Sequence, residues 1–115
     1  MGIAITFRHM ESSDAVKGYV GDKLERVQKY LRAPLDAHVT LFPERHQFIA
    51  EMQIHSSGKT YTARHGSDDM YKSIDLVTDK LEQQIAKAHD SAARNKKGGP
   101  RAAEIAAREN GSSRR

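Results

Sequence analysis

Cysteine is absent from all 115 residues. No disulfide framework, thiolate zinc site or cysteine nucleophile is available, in keeping with a reducing compartment. No apolar run approaches the roughly 18 residues a membrane-spanning helix needs, so no membrane partner is expected. The opening stretch, Met1-Gly2-Ile3-Ala4-Ile5-Thr6-Phe7-Arg8, lacks the basic start and continuous apolar run of a secretory signal, and the chain is expected in the cytoplasm. Catalytic patterns are also missing. The histidines at 9, 38, 46, 55, 65 and 89 are scattered, no pair has the spacing of a zinc-protease helix, and no metal or cofactor is expected. His65 reads as an inward or rim residue, His38 and His55 as residues of an open sheet face. Ser12 and Ser13 have no G-x-S-x-G frame, and Gly66-Ser67 is not a phosphate loop. Asp68-Asp69 at a helix start suits capping and the helix dipole better than acid/base chemistry. The chain is expected to be no enzyme and to take no small-molecule substrate.

What is present is charge, unevenly placed. The net charge is +4 and the pI near 9.5, which suggests an acidic partner such as nucleic acid. Residues 94–115, however, carry seven Lys/Arg against Glu104 and Glu109, and the remaining body sums to −1. Any nucleic-acid surface on the body must therefore come from arrangement rather than from net charge.

Ile3, Ile5 and Phe7 alternate with polar or small neighbours as in a half-buried strand. Ser12-Ser13-Asp14 offers helix caps, and Val16, Val20, Leu24, Val27 and Leu31 follow at helical spacing, predicting about five turns before Pro34. Three alternating segments come next: Ala37, Val39, Leu41; then Phe48, Ala50, Met52, Ile54; then Tyr61, Ala63, His65. Pro43-Glu44-Arg45 and Ser56-Ser57-Gly58 separate them as hairpin turns. Asp68 or Ser67 can cap a second helix with the stripe Met70, Ile74, Val77, Leu81, Ile85, Ala88 and Ala92. The class is α+β in the order β-α-β-β-β-α, a four-stranded sheet with two helices packed on one face. One domain over residues 1–94 and a basic flexible tail over 95–115 are expected, the tail beginning at Lys96-Lys97-Gly98-Gly99-Pro100.

On helical wheels of about 100° per residue, Tyr19, Lys23, Arg26 and Tyr30 line one shoulder of the first apolar stripe. Ser73, Lys80, Gln84, Lys87, Ser91 and Arg94 line one shoulder of the second helix, and Asp75, Asp79 and Glu82 the other. If the two basic shoulders face each other, they form a cationic strip suited to RNA phosphates, with Tyr19 or Tyr30 able to stack on an unpaired base. The same pattern suits plain solvated flanks whose tyrosines seal the core edge.

The run Gly66-Ser67-Asp68-Asp69-Met70-Tyr71-Lys72-Ser73-Ile74-Asp75, then Asp79-Lys80-Leu81 and Gln84-Ile85-Ala86-Lys87, resembles the second-helix signature of the ribosome hibernation-promoting factor and ribosome-associated inhibitor family. Ala15-Val16, Tyr19-Val20, Lys23-Leu24, Arg26 and Tyr30 resemble its first helix. The resemblance covers residues 3 to about 94 and implies the fold derived above. It also implies a bacterial inhibitor of translation that binds the small ribosomal subunit, through rRNA in the channel where mRNA and tRNA meet, in stationary phase or stress. Carried over from the family pattern, Lys23, Arg26, Lys80, Gln84 and Lys87 are the implied rRNA-binding residues; the wheel adds Tyr19 and Tyr30 as stacking residues, and Arg94, Lys96 and Lys97 are expected to extend the contact beyond them. Tyr71 and Asp75 are implied to support the second helix. His89 and Ser91 stand where the family usually continues with lysines. The chain resembles the short form, a monomer off the ribosome. Family members have also been labelled sigma-factor modulators, which implies a protein-binding module as the alternative.

Overall fold

The computed structural model describes residues 1–96, with side chains through His89. Its elements are β1 (Gly2–Phe7), α1 (Asp14–Gln28), β2 (Asp36–Glu44), β3 (Gln47–Ser56), β4 (Lys59–Ser67) and α2 (Met70–Lys96). This is the β-α-β-β-β-α order expected from the periodicities. Met1–Ile85 forms one compact unit; Ala86–Arg115 groups separately and contains the rest of α2 through Lys96.

The sheet runs β1-β2-β3-β4. β1 pairs parallel with β2, so α1 is the crossover between them, and the other two pairings are antiparallel hairpins. Strand alternation gives the sheet two unlike faces. Ala37, Val39 and Leu41 on β2, Ala50, Met52 and Ile54 on β3, and Tyr61 and Ala63 on β4 are buried. Beneath the helices they meet Val16, Val20, Leu24 and Val27 of α1 and Met70, Ile74, Val77, Leu81 and Ile85 of α2, all buried as well. The open face carries His38 and His55, both exposed, with Thr40, Glu51 and Arg64. There Arg64 bonds Glu51 at 2.9 Å and Glu44 at 3.1 Å.

Several local expectations change. α1 stops at Gln28 and runs 15 residues, leaving Tyr30 and Leu31 beyond it. The reason is a competing set of bonds. Tyr30 and Leu31 donate to Val27 and Gln28 in tight i to i+3 turns. The Gln28 side chain meanwhile donates to the Ala33 carbonyl at 2.9 Å and accepts from the Leu35 amide at 2.8 Å. The Ser56 hydroxyl donates to the same Ala33 carbonyl, and Leu35 is drawn fully into the core. The cap of α2 is Asp69, whose carboxylate accepts from the Tyr71 amide, and not Asp68 or Ser67. Ser67 instead braces Asp69, donating to its carbonyl at 2.7 Å. α1 is capped within the expected trio, by Ser13 accepting from the Val16 amide. His65 is half-buried, as a rim residue should be.

Phe48 was expected to face the core, but it is exposed at the end of its strand. Ile49, on the opposite face, is buried instead, above Gly66. A Cβ at Gly66 would lie 2.5 Å from the Ile49 Cδ1 methyl, so any larger residue there would make that side chain shift from its place on the sheet. The β3–β4 turn places Ser57 at φ 53° and Gly58 at φ 75°, the signature of a type I′ hairpin. Gly58→Ala is expected to lower stability by about 1 kcal/mol through left-handed strain, read as an earlier midpoint in urea unfolding.

Candidate nucleic-acid interface

α1 and α2 run in the same direction, since their cross-helix contacts climb both together. Tyr19 meets Tyr71 edge-on, with ring centroids 5.1 Å apart. One turn further, the Tyr19 hydroxyl donates to Asp75 Oδ1 at 2.5 Å and Lys23 Nζ lies 2.9 Å from the same oxygen. Beyond it, Arg26 lies 3.7 Å from the Glu82 carboxylate. These spacings follow from helical geometry, because positions three or four apart share a face.

The two basic shoulders therefore do not face each other: the basic shoulder of α1 faces the acidic shoulder of α2. Opposite charges attract across a narrow groove where two rows of cations would repel. The other shoulder of α2 turns toward β3 and β4. Ser73 is fully buried there, its hydroxyl donating to the Phe48 carbonyl at 2.6 Å. Gln84 donates to the Thr62 carbonyl of β4 at 2.8 Å.

The expected site residues thus separate by availability. Lys23, with 18% of its side chain exposed, is held by Asp75 and lies 5.5 Å over the Tyr19 ring. Tyr19 is committed to Asp75 and Tyr71. Arg26 is 56% exposed despite its loose partner. Tyr30 is exposed past the end of α1, and Lys80 and Lys87 are exposed on α2, Lys87 within the second unit. Lys80 makes no ion pair among the described residues. Arg94 and Lys96 lie on the helical backbone of α2, their side chains outside the described residues, as Lys97 is altogether. No cluster of metal-ligating side chains occurs among the described residues.

The Tyr19–Asp75–Lys23 latch gives Asp75 the supporting role expected of it, and Tyr71 packs edge-on against the Tyr19 ring beside it. Burial pushes the Asp75 carboxyl up, but hydrogen bonds from Tyr19 and Lys23, with the Lys23 charge, outweigh it and hold the group below its ordinary range. The hydrogen bond to Asp75 is the main cause that raises both Tyr19 and Lys23. A lowered carboxyl stabilises the fold above its unfolded value and loses that contribution as pH falls through the folded one. Raised Tyr19 and Lys23 stabilise below their unfolded values and lose the effect as pH rises through the folded ones. The latch is therefore expected to be complete from about pH 5 to pH 9. Asp75→Asn should lower the thermal midpoint inside that window and matter less as pH falls through the lowered folded value, where the wild-type carboxyl also protonates.

A mixed four-stranded sheet, with two parallel helices latched over one face and exposed cations on those helices, defines a small α+β domain of the β-α-β-β-β-α class. Residues 3–92 match the family described as sigma 54 modulation protein / S30EA ribosomal protein, and the chain belongs to that family. It is 30% identical over 87 residues to the ribosome hibernation promoting factor of Azotobacter vinelandii, spanning 76% of this chain and 81% of that protein. It is 36% identical over 83 residues to the ribosome hibernation promotion factor of Lactococcus lactis subsp. cremoris, but that match spans 69% of this chain and only 44% of the longer relative. Among solved structures it is similar to the N-terminal domain of Thermus thermophilus protein Y, with a TM-score of 0.72 and 32% identity over 76% of this chain and 98% of that one. A ribosomal subunit interface protein from Coxiella burnetii aligns with a TM-score of 0.70 and 28% identity, over 78% and 99% of the two chains. In the described residues no helix is long and apolar enough to cross a membrane.

Proposed function

We propose that this chain is a ribosome hibernation factor that binds the small ribosomal subunit, against rRNA in the channel where mRNA and tRNA meet, and holds translation off in stationary phase or stress. The observation that carries the reading is family membership across residues 3–92, with relatives named as ribosome hibernation promoting factors. The site chemistry supports it. Arg26 and Lys80 are exposed cations on a body without net positive charge, so binding draws on local clusters rather than on a diffuse field. Arginine grips a phosphate through two parallel donors and lysine adds a point charge. Tyr30, exposed four residues after Arg26, offers a ring to an unpaired base.

Inhibition by occupancy asks for no bond-breaking step. It requires a domain rigid enough to fill the channel, and the latched helices supply that. In this reading Arg26, Lys80 and Lys87 contact phosphate, and Arg94, Lys96 and Lys97 extend the contact. Lys23, Tyr19 and Gln84, already bonded within the protein, hold the helices in place. Residues 1–94 form the ribosome-binding domain and 95–115 a basic tail that adds attraction without sequence preference. The protein acts in the cytoplasm and is a monomer off the ribosome.

Sedimentation of the full chain with purified small subunits tests this. Co-migration at about 50 mM salt that falls by roughly three decades in affinity by 200 mM is expected for about six phosphate contacts, on a scale calibrated for duplex DNA. A chain that stays at the top of the low-salt gradient, or that captures polymerase components after nuclease treatment, overturns the reading.

A further inference from the structure

The two cations of the α1 shoulder are not equivalent, and the difference lies in their counter-ions. Lys23 and Asp75 meet at hydrogen-bonding distance, and the same oxygen also accepts from Tyr19. Arg26 and Glu82 stand 3.7 Å apart, beyond hydrogen-bonding length, through one nitrogen and one oxygen. The Glu82 side chain is only 16% exposed, whereas its arginine partner is mostly in water. Glu82 is thus largely enclosed, whereas the guanidinium has open solvent into which it can swing. An incoming phosphate, by contrast, can take two parallel donors from Arg26.

We propose that Glu82 is a built-in competitor for the phosphate ligand of Arg26: it half-neutralises that cation in the free protein, and RNA must displace it to bind. This rests on the small-subunit reading above. The carboxylate keeps the free α1 shoulder from attracting anions indiscriminately, because Arg26 is released only where a phosphate offers better geometry. Asp75 plays no such part, since Lys23 is bonded to it closely and is shielded by Tyr19.

Salt-dependent binding of the full chain to purified small subunits tests the proposal with four variants beside wild type: Glu82→Gln, Arg26→Ala, the double variant, and Asp79→Asn. Asp79 is exposed on the same acidic shoulder and makes no ion pair among the described residues, so its removal deletes an equal charge without freeing a cation. Glu82→Gln is expected to tighten binding about 1.5- to 5-fold at low salt, the range of a partly exposed ion pair. Asp79→Asn should gain clearly less, and Glu82→Gln should gain nothing in the Arg26→Ala background. Binding of Glu82→Gln equal to or weaker than wild type, with its thermal midpoint unchanged, overturns the proposal alone, as does an equal gain with and without Arg26. If Glu82→Gln lowers the midpoint, Arg26→Lys replaces it as the readout: a lysine offers phosphate only a point charge, so with Glu82 present it should lose nearly as much binding as Arg26→Ala, and binding close to wild type overturns the proposal. Failure of every variant and of wild type to bind small subunits overturns the ribosomal reading instead, and this proposal with it.

Discussion

Replacing Arg26, Lys80 and Lys87 together by alanine is expected to weaken binding to small ribosomal subunits by two to three decades at about 0.1 M salt and to flatten its salt dependence. The estimate follows from counterion release: each phosphate contact contributes about 0.9 to the slope of log K against log salt on the duplex-DNA scale, so three contacts remove about 2.7. All three side chains are exposed, so the variant should fold with little loss of stability. Lys23→Ala is the informative contrast. Its ammonium is already bonded to Asp75, so its removal should leave the salt slope nearly unchanged and lower the thermal midpoint instead. A Lys23→Ala slope as flat as that of Arg26→Ala would show that Lys23 leaves Asp75 for phosphate and would reverse its assignment as a helix-holding residue. Triple-variant binding equal to wild type would remove the helix cations from the interface.

Leu24→Ala is expected to cost 2–5 kcal/mol in urea unfolding. Leu24 is fully buried on α1, between Val20 and Val27 on the same stripe, so truncation loses both the transfer energy of the side chain and the contacts of a close-packed site. Against a typical domain stability of 5–15 kcal/mol this is a large fraction. The loss reaches the interface as well. Lys23 precedes Leu24 on the same turn, so a shift of α1 toward the cavity strains its bond to Asp75. A cost below about 1 kcal/mol would mean that the helix settles into the space, contrary to the packing inferred here.

Short-range physics made much of this molecule legible from its residues. The stripe Val16, Val20, Leu24 and Val27 reports a helix because its period is local, and the alternation in Ala37, Val39 and Leu41 reports a strand for the same reason. Ser57-Gly58 marks a hairpin because few other residues accept left-handed backbone. The family signature around Met70 to Lys87 is equally readable, being a pattern along one helix.

The presence of exposed basic residues on both helices was determined by the sequence alone; which shoulder of α2 faced α1 was not. A wheel orders the side chains around one axis but does not say on which side the neighbouring helix lies. That side is set by the parallel β1–β2 crossover and the sheet order β1-β2-β3-β4. Tertiary structure alone paired Arg26 with Glu82, bonded Lys23 to Asp75, buried Ser73 and tied Gln84 to Thr62. It also ended α1 at Gln28, because the partners that outbid another helical turn, Ala33 and Leu35, lie outside the helix. Periodicity acts between neighbours in the chain, whereas charge pairing and loop bonds act between elements whose relation exists only after folding.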